Sequence, residues 1–127
     1  LVTTGLVRVQ GCVEDAHMSA LYSGAAAFIF PSLYEGFGLP PLEAMACGAP
    51  VIASQSSSIP EVVGKAGVLC DPLDAQSFSD AMQRMVEDEG WRKQLRTHSL
   101  TQAASFSWQR TAHATLDVYR STLAKFS

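Results

Sequence analysis

Short, β-rich apolar runs recur along the chain at residues 7–10, 27–30, 51–53 and 68–70, each bounded by Gly, Pro, Ser or Asp. Runs of this length predict four strands, and their continuous rather than alternating character predicts a sheet covered on both faces. Helical stretches fall between or after them, at residues 16–23, 41–46 and 60–63. The last two open with Pro41 and Pro60, at a first-turn position where the missing N–H costs nothing. The alternation predicts an α/β fold: a Rossmann-like parallel sheet flanked by helices.

Beyond Asp74 the strand signals stop and the pattern predicts three helices, over residues 75–87 with Asp74 as cap, 90–104 and 109–126. Phe78, Ala81, Met82, Met85 and Val86 share one face of the first, which predicts core packing rather than a cofactor box. No internal repeat, low-complexity segment or linker interrupts the chain. Residues 1–127 are therefore expected to form one domain, with the helical tail packed back on the sheet and Trp91 and Trp108 anchoring it.

Composition narrows the class. The chain has 127 residues, 47% hydrophobic and 17% charged, and a mean hydropathy of +0.11, as in a soluble globular domain with a core of its own. Its richest apolar run, residues 25–30, is strand-sized and well short of the roughly 18 residues a spanning helix needs. A formal charge of −3 without any basic stripe argues against nucleic acid as a partner. Cys12, Cys47 and Cys70 form no CxxC pair, so free thiols in a reducing cytoplasm are expected. His17, His98 and His113 are scattered without a carboxylate or Cys at ligand spacing, so they read as surface or helix-end residues and no metal site is expected. The chain opens with Leu1 and Val2 rather than Met and carries no secretory signal; the natural chain is expected to extend further upstream.

The chemically informative stretch is residues 31–54, PSLYEGFGLPPLEAMACGAPVIAS, between the second and third predicted strands. On one uninterrupted helix, eight positions would separate Glu35 and Glu43 by about 12 Å along the axis. Gly36, Gly38, Pro40 and Pro41 forbid such a helix. Glu35 is thus predicted in a loop at a strand's C-terminal end and Glu43 in the first helical turn beyond, where both can converge on one ligand. Gly36 and Gly38 allow close backbone approach with amides pointing inward, and the helix starting near Pro40 adds free N–H groups and a positive dipole end, a setting for phosphate. Ionised carboxylates accept hydrogen bonds from sugar or ribose hydroxyls. Phosphate plus hydroxyls describes a sugar nucleotide. The residues alone also admit a plainer account, with the glycines shaping a tight turn, Glu43 complementing the helix dipole and Glu35 a solvated loop charge.

The stretch EGFGLPPLEAMACGAPVIAS resembles the Glu-x7-Glu signature of the family-4 retaining glycosyltransferases of GT-B fold, with Glu35 and Glu43 at its ends. The likeness continues through Ser58-Ile59-Pro60-Glu61-Val62, Gly67, Asp71-Pro72 and Phe106-Ser107-Trp108, and it covers the donor-binding C-terminal domain from its middle onward. It implies transfer of a hexose, in the manner of the mannosyl- and glucosyltransferases, from a nucleoside-diphosphate sugar with retention, in a cleft between two Rossmann-like domains and without cofactor or bound metal. The carboxylate matching Glu43 binds the donor ribose in such enzymes. That matching Glu35, the candidate catalytic residue, contacts hydroxyls of the transferred sugar, while Gly36, Phe37, Gly38 and Leu39 present amides to sugar and phosphate. The loop after the first strand, around Val13, lies near the base. Members also carry an Arg and a Lys that grip the diphosphate, whereas residues 13–64 here hold neither. Those cations, and an N-terminal acceptor-binding domain as partner, are expected outside this chain, as is any peripheral membrane association.

Two other functions compete. A Rossmann oxidoreductase would need a GxGxxG after a strand and an acidic residue closing the next, and neither is present. A non-catalytic, Rossmann-like nucleotide-binding module would keep the fold without the activity, which the intact glutamate pair disfavours. The run Ser54 to Ser58, SQSSS, is read as a turn with a helix cap in preference to a lining of the cleft. Glu61 is read as a first-turn carboxylate complementing a helix dipole.

Overall fold

A computed structural model describes residues 5–126 of the chain. The order of elements is α1 (Asp15–Gly24), β1 (Phe28–Phe30), α2 (Leu39–Ala46), β2 (Val51–Ser54), α3 (Ile59–Val63), β3 (Val68–Cys70), α4 (Ala75–Glu87), α5 (Glu89–Ala104) and α6 (Trp108–Lys125). The strands form one parallel sheet in the order β1-β2-β3, with Phe28 opposite Val51 and Ile52 opposite Val68. The expected α/β class is the observed one.

The central strand shows why residues 51–53 are continuously apolar. All four residues of β2 are fully buried. Val51 and Ala53 point into a cluster with Tyr22, Met45, Ile59 and Val63, while Ile52 points into another with Phe78, Met85 and Leu95. Alternate side chains of a strand face opposite sides of the sheet, so two apolar layers demand apolar residues at Val51, Ile52 and Ala53, while Ser54 at the strand's end has its hydroxyl 3.5 Å from the Phe30 carbonyl. Gly67 is fixed by the same crowding: a Cβ there would lie 2.6 Å from Val63 Cγ1 and 2.8 Å from the carbonyl of Val51.

The capping chemistry is local and readable. Asp74 accepts from the amides of Gln76 and Ser77 at 3.0 and 3.2 Å, as expected, and Asp88 starts α5 by accepting from Trp91 N at 2.8 Å. The end of α1 is closed from far along the chain. The Arg96 guanidinium donates to the carbonyls of Ser23 and Ala25 at 2.7 and 3.2 Å, satisfying acceptors that a helix C-terminus leaves open.

Four expectations are corrected. Residues 7–10 form no strand, and Val7 and Val9 are exposed; an apolar run becomes a strand only where a neighbouring edge and an apolar layer receive it, and this one has neither among the described residues. On α4, Phe78, Ala81 and Met85 are buried while Met82 and Val86 are exposed, because the buried stripe is narrower than the apolar one. The helix α6 buries no residue and so does not pack back on the sheet. Trp108 at its start is 79% exposed and anchors nothing, whereas Trp91 packs against the Ile52 cluster and carries the Arg84 guanidinium 4.1 Å over its ring.

Candidate functional site

Parallel neighbours send their following loops off the same edge of a sheet, and this is where open α/β sheets bind ligands. With Phe30 beside Ala53, residues 31–38 after β1 and residues 55–58 after β2 must lie side by side. The serines of the second loop are hydrogen-bonded to the first. Ser57 Oγ donates to the Glu35 carbonyl and accepts from the Glu35 amide, and Ser58 Oγ shares its one proton between the carbonyls of Phe37 at 2.8 Å and Glu35 at 3.1 Å. Ser56 Oγ donates to the carbonyl of Ser32 at 3.2 Å. The expected helix cap is absent, since Ser58 precedes α3 without capping it through its side chain.

Each glutamate has its own orienting partner. Glu35 is partly buried, and its Oε1 accepts from Ser32 Oγ at 2.8 Å. Glu43 is exposed, and its Oε2 accepts from the hydroxyl of Tyr22 on α1 at 3.4 Å. Burial, then the charge of Glu43 and its hydrogen bond, then Cys47, push the Tyr22 hydroxyl above its ordinary pKa. No bond joins the two carboxylates to each other. Because α2 starts at Leu39, Glu43 lies in its second turn rather than the expected first, past the reach of a dipole-complementing role.

Between the two glutamates lies a row of backbone donors. The amides of Gly36, Phe37, Gly38 and Leu39 donate to nothing among the described residues. The expectation that the α2 terminus adds free N–H groups holds for Leu39 alone: Pro40 and Pro41 have none, and Leu42 N bonds to Gly38 O at 3.3 Å. The donors therefore come from the glycine loop, with Leu39 alone from the helix. Gly38 sits at φ 106° over α3, where a Cβ would lie 2.8 Å from Ile59 Cδ1, while a Cβ on Gly36 would meet open space. Phe37, Leu39, Leu42 and Glu43 line one side of a 340 Å³ groove, with Phe106 and Trp108 on the other. Glu35 does not line it. Val13 is half-buried just before α1 and follows an unpaired segment instead of a strand. His17, His98 and His113 are exposed, as expected, and Cys12, Cys47 and Cys70 are free, Cys12 being exposed. Among the described residues no three His, Cys, Asp or Glu side chains gather as metal ligands, and no helix is long and apolar enough to cross a membrane.

Sequence reasoning missed Ser32 and Tyr22 as parts of this site, and it weighed Ser56, Ser57 and Ser58 as a lining of the cleft but preferred a turn with a helix cap. The serines carried a signal, a hydroxyl-rich run at the C-terminal end of a strand. Tyr22 carried none, since it approaches Glu43 only through the packing of α1 beside α2.

Comparison with known proteins agrees with the resemblance read from the glutamate motif. Residues 2–88 match the family model described as glycosyl transferases group 1. The chain is 43% identical over 116 residues to O-antigen chain mannosyltransferase B of Escherichia coli, covering 91% of this chain and 30% of that protein. It is 38% identical over 125 residues to a D-inositol 3-phosphate glycosyltransferase of Nocardioides, covering 97% of this chain and 27% of that protein. It superposes on sucrose-phosphate synthase of Thermosynechococcus elongatus with a TM-score of 0.78 at 33% identity, over 91% of this chain and 30% of that one. The chain thus spans less than a third of each of these proteins. With the family model covering most of its length, and both motif and fold in agreement, the chain belongs to the group 1 glycosyl transferases.

Proposed function

We propose that this chain is the donor-binding part of a glycosyltransferase that moves a hexose from a nucleoside-diphosphate sugar to an acceptor with retention of anomeric configuration. The observation that carries the reading is the row of unpartnered amides from Gly36 to Leu39, set between two carboxylates that are each already oriented. Amides without partners suit the diphosphate and sugar oxygens, and no Lys or Arg between residues 13 and 64 competes for that role. Glu43 takes the ribose hydroxyls and Glu35 those of the transferred sugar, where its negative charge also favours the positive charge developing at the anomeric carbon. Val13 lies toward the base. The acceptor and its binding residues belong to the part of such enzymes that this chain does not span.

The mannosyltransferases among its relatives make mannose the first sugar to test. A thermal-shift screen of GDP-mannose, UDP-glucose, ADP-glucose and NAD tests the reading, because a ligand that binds only the folded chain raises its midpoint. At least one sugar nucleotide should raise it and NAD should not. A response to NAD alone, or to none of the four at millimolar concentration, would refute donor binding by this chain.

A further inference from the structure

We propose that Ser57 and Ser58 are positioning residues that aim the amides of the glycine loop at the ligand. The proposal rests on the reading of Gly36 to Leu39 as the anion cradle, and it assigns to the loop after β2 a role in forming that cradle.

The geometry follows from planarity of the peptide unit. In a trans peptide the carbonyl of one residue and the N–H of the next point in opposite directions, and the described residues contain no cis bond. The carbonyl of Glu35 accepts from Ser57, and the one proton of Ser58 is shared between the carbonyl of Phe37 and, at longer range, that of Glu35. Both carbonyls are therefore turned toward the serines. The N–H groups of Gly36 and Gly38, in the same two peptide planes, are turned away from them, and these are among the amides left without a partner. Free amides in a glycine loop would otherwise rotate toward any acceptor, since glycine tolerates most backbone angles.

The serines are committed to this role at the expense of ordinary ones. Ser58 stands at the N-cap of α3, where a serine hydroxyl normally accepts from the helix, yet makes no such bond. Ser57 lies at φ 54°, the one positive φ outside glycine among the described residues, and in that conformation its hydroxyl meets both the amide and the carbonyl of Glu35. Ser32 Oγ holds the Glu35 carboxylate by one oxygen, so the same residue is fixed at backbone and side chain. The preorganised donors are thus in place before ligand arrives, which lowers the ordering cost of binding.

The test compares Ser58→Ala, Ser57→Ala/Ser58→Ala and Ser58→Thr with the parent chain. Backbone ¹⁵N order parameters of Gly36 and Gly38 are measured without ligand, and affinity for pyrophosphate and for GDP-mannose is measured well below the melting midpoint. The parent should show order near that of a rigid backbone, about 0.85, and the double variant should fall toward the flexible range below about 0.6. Pyrophosphate affinity should drop roughly 2- to 10-fold in Ser58→Ala, as for one lost neutral hydrogen bond, and return in Ser58→Thr, which keeps the hydroxyl. Unchanged order parameters in the double variant would overturn the proposal, as would equal losses in the alanine and threonine variants. If the parent binds neither ligand, the donor-binding reading fails on its own, and the order parameters still decide whether the serines hold the loop.

Discussion

The hydroxyl of Tyr22 lies 3.4 Å from Oε2 of Glu43, across 21 positions of sequence. Tyr22 is buried, its ring edge-on to Phe28 with centroids 5.3 Å apart, whereas Glu43 is exposed. A buried core residue thus holds one oxygen of a solvent-facing carboxylate and leaves the other open. The contact is long for an O–H···O bond, and such bonds shorten on ligand binding in many active sites. Tyr22→Phe keeps the ring and removes only this contact. It should weaken nucleoside diphosphate binding roughly 3- to 10-fold by calorimetry, in the range of one hydrogen bond, while the chain stays folded.

The same contact predicts an alkaline signature. Burial and the nearby Glu43 charge raise the Tyr22 pKa in the folded chain, so the folded state holds this proton more tightly than the unfolded state, whose tyrosine titrates near 10. The stabilisation is complete below about pH 10 and is lost as pH rises through the folded value. Melting midpoints between pH 8 and 11 should fall more steeply for the parent than for Tyr22→Phe. Parallel curves would disprove the linkage.

Two glycines two residues apart should respond oppositely to one methyl group. Gly38→Ala forces a Cβ to within 2.8 Å of Ile59 Cδ1 at φ 106°, so it should destabilise the fold by about 1–3 kcal/mol, read as a lowered midpoint. Gly36→Ala meets open space and should leave the midpoint unchanged or slightly raised. Its cost should appear in sugar-nucleotide affinity, because the space in front of Gly36 is where the ligand is proposed to lie. A stable Gly38→Ala, or a Gly36→Ala with undiminished affinity, would contradict this division.

The glutamates should separate by ligand. Glu43→Ala should weaken the bare nucleoside diphosphate roughly 10- to 100-fold, the worth of a charged hydrogen bond of about 1.5–3 kcal/mol. Glu35→Ala should spare that ligand and abolish the extra affinity of the sugar nucleotide over it. The reverse pattern in calorimetry would exchange the two assignments.

Chelation should matter little to donor binding, because the proposed phosphate ligands are backbone amides and the described residues gather no set of metal-ligating side chains. Affinity that vanishes in EDTA and returns with magnesium or manganese would show that a cation completes the cradle.

Much of this architecture can be read from residues in order. Continuous apolar runs gave three of the strands because β2 and its neighbours are packed on both sides, and Asp74 announced α4 by side-chain chemistry confined to four residues. The run at residues 7–10 misled because local propensity says nothing of whether a partner edge is present. Glu35, Gly36, Gly38 and Glu43 stood out through their spacing. The direction in which their loop faces is set by serines more than 20 positions away, and no periodicity within the loop encodes it. Pro40 and Pro41 were legible as a helix start, yet their missing N–H groups reduce the helix's contribution to the proposed cradle, a consequence of the covalent structure of proline alone.

The exposed α6 bears on how the chain melts. A helix of 18 residues without a buried side chain is held by its own hydrogen bonds and by its Ser107 cap, and helices of this length are marginal in water. Its coil transition should be broad and shallow, while the sheet and the helices packed on it should be lost together in one cooperative step. Far-UV ellipticity should therefore decline well before near-UV signals from the packed aromatics, and the calorimetric and van't Hoff enthalpies should differ. Heated, the chain should behave as a folded body carrying a peptide helix, each with a melting curve of its own.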